Sequence, residues 1–135
     1  MALGNLGLAA LSEHDCEQSA RFFAEALGAF SDLGDKRDAA ESLSGLAAVV
    51  AARGDPIQAA RLWGSAELLH DEIGLSPGSG ARLVYERFLP AARELVADSV
   101  WAEAWEEGRA MTFEQAIVQA LEASQSADQT AALSD

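Results

Sequence analysis

Apolar positions recur along this chain with the period of an α-helix. Over residues 16–33, Ser19, Phe22, Phe23, Ala26, Phe30 and Leu33 keep the i, i+3, i+4, i+7 spacing that gathers small and apolar side chains on one helical face. Over 56–73 the same spacing carries Ala59, Leu62, Trp63, Ala66, Leu69 and Ile73. A shorter stripe precedes each one: Leu3, Leu6 and Ala10 before the first, Leu43, Leu46 and Val50 before the second. The pattern predicts two helical hairpins, at 1–34 and 41–74.

The two hairpins are copies of one unit. A shift of 40 residues superposes Leu3 on Leu43, Leu6 on Leu46, Asp15 on Asp55, Gln18 on Gln58, Ala20 on Ala60, Arg21 on Arg61, Ala26 on Ala66 and Gly34 on Gly74. Several of these identities sit at helix ends. Asp15 and Asp55 stand at N-cap positions with Gln three residues on, a variant of the capping box. Pro56 occupies the first helical position, where its missing N–H costs nothing. Gly34 and Gly74 supply the left-handed residue that stops each second helix.

The regular repeat ends at Leu75–Gly80, whose sequence LSPGSG is turn chemistry. A helix is predicted over about 81–97, with Val84, Phe88, Ala91 and Leu95 as its stripe. Pro90 lies inside it and should kink the chain near Glu86 to Phe88. Asp98 is expected to cap a shorter helix that carries Trp101, Ala104 and Trp105 and is stopped by Gly108. Thr112 and Gln115 form a capping box for a last helix, about 113–124, with Phe113, Ala116, Ile117, Ala120 and Leu121 inward. Residues 125–135 are small and polar and read as a disordered tail. The expectation is one all-α domain over 1–124 with about seven helices: two regular hairpins, a degenerate one at 81–108 and a capping helix at 112–124.

Composition narrows the function. The formal net charge is −13, and Lys36 is the only lysine. Nucleic acid binding needs a basic face that displaces counterions, so direct DNA or RNA contact is not expected. An anionic membrane surface would repel the chain, and no apolar run is long enough to span one. With one cysteine, Cys16, there is no internal disulfide and no cysteine-based zinc site. No signal peptide is evident, and a cytoplasmic location is expected.

Catalytic chemistry finds little footing. There is no phosphate-binding GxxxxGK[ST] loop, and Pro77-Gly78-Ser79-Gly80 reads as an interhelix connection. Glu67 and His70 make one Glu-x-x-His step, whereas carboxylate-bridged dimetal bundles need that step on two helices. His70 aligns with Phe30, a core position, and His14 falls in a turn. Glu103, Glu106 and Glu107 read as a solvated helix face. The serines have no positioned base beside them. The expected catalytic, metal and cofactor residues are therefore none.

The hairpins resemble tetratricopeptide repeats. Leu6-Gly7, Asp15, Ser19, Phe23 and Ala26 fill the places of that motif once, and Leu46-Ala47, Gly54-Asp55, Ala59, Trp63 and Ala66 fill them again. His14 replaces the usual turn glycine, and Ser19 the usual alanine. The resemblance implies antiparallel hairpins stacked as a short right-handed superhelix. The 40-residue spacing and the Gly34-Asp35-Lys36-Arg37 sequence are similar to the C-terminal arm of bacterial signal-transduction ATPases that act as transcriptional regulators. So are the stretch Ala59 to Glu67, the segment Tyr85-Glu86-Arg87, the tryptophans at 101 and 105, and Gly108-Arg109-Ala110-Met111-Thr112.

The resemblance implies a non-catalytic protein-interaction or sensory module. A free-standing adaptor of the same fold is the alternative, and a metal-dependent helical hydrolase using Glu67, His70 and the acidic helix is the most distant reading. In such arrays the first helices line a concave groove. Here Gly4, Leu8, Leu11, Glu41, Ser44, Ala48 and Ala51 take those places, with Trp101 and Trp105 as a second, aromatic candidate. The groove lacks the basic residues that grip a peptide carboxylate. It suits a protein partner or a neighbouring repeat helix, and partial exposure of Leu8 and Leu11 would favour self-association.

Overall fold

The computed structural model describes the backbone of residues 3–33, 36–74 and 85–133, and the side chains of 6–29, 36–74 and 85–125. Among the described residues the chain is all-helical, with seven helices and no strand: α1 (Leu3–Ser12), α2 (Cys16–Leu33), α3 (Lys36–Ala52), α4 (Pro56–Ile73), α5 (Leu89–Arg93), α6 (Asp98–Arg109) and α7 (Phe113–Leu133). None of these helices is long and apolar enough to cross a membrane. The expected stop at Gly34, the inward faces of Phe30 and Leu33, the 75–80 loop and Val84 lie outside the described residues.

α1 packs on α2 and α3 on α4 as two hairpins, and α2 packs on α3 to join them. The expected caps close both turns. The Asp15 carboxylate accepts from the Gln18 N–H at 3.1 Å, and that of Asp55 from the Gln58 N–H at 3.3 Å. Gly74 is left-handed at φ 75°, and its N–H returns to the last turn of α4. Between α1 and α2 the left-handed residue is His14, at φ 64°, where the second hairpin has Gly54 at 85°. A side chain in that region costs about 1 kcal/mol. His14→Gly should therefore raise stability by about 0.5–1 kcal/mol in urea denaturation, less whatever the His14 ring gains from its edge-on contact with Phe88.

The first hairpin closes on Phe23, which is fully buried. Its ring lies against Gly7 of α1 and Gly45 of α3, so close that a Cβ at either glycine would collide with it. Ser19, the residue that departs from the usual alanine, donates its hydroxyl to the Gly7 carbonyl at 2.8 Å across the same contact. α3 is the central helix. Ala39, Ala40 and every residue from Ser42 to Ala51 are buried, as its run of Ala, Ser, Gly, Leu and Val on all sides requires. It begins at Lys36, not near residue 41, so the linker between the hairpins is shorter than the sequence implies.

The C-terminal third departs most from expectation. Residues 87–88 are a turn, and α5 restarts with Pro90 in its first turn, so the proline opens a short helix and does not sit inside a long one. The buried stripe also differs from the expected one. Tyr85 and Ala92 are buried and Phe88, Leu89 and Val96 half-buried, while Ala91 is exposed and Leu95 is 62% exposed. Asp98 is the first residue of α6 and not its cap; Ala97 holds the cap position in extended conformation without a side-chain bond.

Gly108 does not end α6. It is a buried helical residue whose Cα faces the backbone of Arg61 on α4, leaving no room for a Cβ. Gly64 of α4 meets the Trp105 carbonyl in the same way, and the Ser65 hydroxyl lies 2.9 Å from the Gly108 carbonyl. Two ion pairs flank this crossing, Arg61 with Glu107 at 2.7 Å and Arg109 with Asp71 at 3.2 Å. Thr112 and Gln115 form the full reciprocal capping box at 3.0 and 3.1 Å. α7 then runs to Leu133, past the 113–124 span and into the segment read as a tail. It packs on α2, α3 and α4, with Lys36 above the Phe113 ring where α7 starts.

Candidate functional site

Several of the positions expected to line a groove are buried. Leu11 and Ala48 are fully buried, Ser44 and Ala51 nearly so; Leu8 is half-buried and Glu41 exposed, and Gly4 lies on α1. The chain itself covers these positions. Tyr85 packs edge-on to Phe23 with centroids 5.7 Å apart, Phe88 reaches His14, and α5 lies on α3 and α4. Of the two side chains whose partial exposure was expected to favour self-association, Leu11 is fully buried and Leu8 is half-buried.

Burial pushes the Tyr85 phenol far above its ordinary value, and the Glu41 carboxylate adds to the shift. The folded protein keeps this proton at a pH where the unfolded chain has released it. Stability is therefore intact below about pH 10 and falls as pH rises past it, by up to about 1.4 kcal/mol per pH unit. Tyr85→Phe should flatten most of that fall in urea titrations at pH 9, 10 and 11. A smaller part remains from Cys16, whose half-buried thiol is also pushed up by burial.

An open cleft lies elsewhere. A cleft of about 620 Å³ is lined by Trp63 and Glu67 of α4, Glu86, Leu89, Pro90 and Arg93 of the stretch before α6, and Trp101, Ala102 and Trp105 of α6. That volume is in the range of small-molecule sites. Trp63 and Trp101 are almost wholly buried and Trp105 is half-buried, so the indoles are fixed walls. The four-residue spacing of Trp101 and Trp105 placed them on one face of α6, as the sequence implied. Sequence reasoning treated Trp63 as core alone; only the crossing at Gly64 and Gly108 brings it beside them.

Cations already rest on two of these rings. The Arg93 guanidinium carbon is 5.9 Å from the Trp101 centroid, and that of Arg109 is 4.9 Å from Trp105. Arg93 also approaches Asp98 at 4.0 Å, a pair between exposed side chains that contributes little.

His70 is buried with Nδ1 2.7 Å from the Ala66 carbonyl, so that nitrogen donates within its own helix. No group of three or more potential ligands converges among the described residues. Glu103 and Glu106 face solvent, and Glu107 is held by Arg61. Comparison with family models, curated proteins and solved structures finds no match for the chain.

Proposed function

We propose that this chain is a non-catalytic protein-interaction and sensory module of tetratricopeptide-like helical repeats, stacked as a short superhelix and forming the C-terminal part of a bacterial ATPase-type transcriptional regulator. The observation that carries the reading is the tryptophan cleft. It lies on the seam between the second hairpin and the elements that follow, and three separate stretches supply its walls. A ligand seated there touches α4, the 85–93 stretch and α6 together, so its binding energy favours one packing of that seam over others. Burial of Leu11, Ser44, Ala48 and Ala51 makes the cleft the better entry point for a partner.

Ala102 tests this reading. It lines the cleft but is exposed, so Ala102→Arg should block the site and leave the melting temperature unchanged. The parent regulator carrying this change should lose its transcriptional response in a reporter assay. A full response from the variant regulator would sink the proposal.

A further inference from the structure

We draw no further inference here: the strongest candidate, the groove along α7 lined by Met111, Val118 and Gln119, where the Gln119 Oε1 is buried without a hydrogen-bond partner, carries nothing because nothing in the structure shows what covers it.

Discussion

Gly108→Ala is expected to destabilise the fold by about 3 kcal/mol or more, among the larger effects of a single added methyl group. The new Cβ would fall on the Arg61 carbonyl, which is helix backbone and cannot rotate aside. Relief requires α6 to withdraw from α4. That would loosen Trp105 against Gly64, the bond from Ser65 to the Gly108 carbonyl and the Arg61–Glu107 pair together. The matched control is Gly28→Ala in α2. Gly28 is also helical, but a Cβ there meets nothing within 4 Å. That change should stabilise by about 0.5–1 kcal/mol, because alanine loses less entropy in a helix. Urea denaturation of the two variants should give shifts of opposite sign. A neutral Gly108→Ala would mean that α6 does not sit on α4 as described.

Phe23→Ala should cost about 3–5 kcal/mol, a large share of the roughly 5–15 kcal/mol that holds a domain of this size. Phe23 touches α1, α3 and Tyr85 at once. Its removal leaves a cavity whose glycine walls cannot fill it, since Gly7 and Gly45 have no side chains to move. The geometry also predicts non-additivity. Gly45→Ala is severe beside a phenylalanine, because its Cβ collides with the ring. In a Phe23→Ala background the same methyl group enters empty space and should restore part of the loss. A double-mutant cycle should show coupling of about 1–3 kcal/mol; additive losses would place the ring elsewhere.

What could be read from the chain divides by the range of the interaction. Asp15, Asp55, Gly74, and Thr112 with Gln115 signal helix ends through contacts within a few residues, and each sits at the end it marks. Ser19 was visible as a departure from the repeat, but its role needs the Gly7 carbonyl on another helix. Gly108 was misread for the same reason. A glycine near a helix end suits a stop as well as it suits a close crossing, and only Arg61 decides between them. The 81–97 stripe was read one position off in its second half, since Ala92 and Val96 turn inward where Ala91 and Leu95 were expected. The candidate site was half legible. Trp101 and Trp105 declare a shared face, but Trp63, Glu67, Glu86 and Arg93 join them only through the packing of α4, α5 and α6. Nothing local could reveal that Leu11, Ser44, Ala48 and Ala51 are buried.

Packing of the later elements on the first hairpin changes how the molecule should come apart. In a linear array each repeat leans on its neighbours alone, so the ends melt first and the middle persists. Here Tyr85 closes on Phe23 of the first hairpin, Phe88 meets His14 at the first turn, and α7 lies along α2 and α3. The first and last thirds of the sequence stabilise each other across the central helix. Their unfolding is therefore joined in one cooperative transition. A perturbation felt at the C-terminal helices reaches the amides of α1 without passing from repeat to repeat.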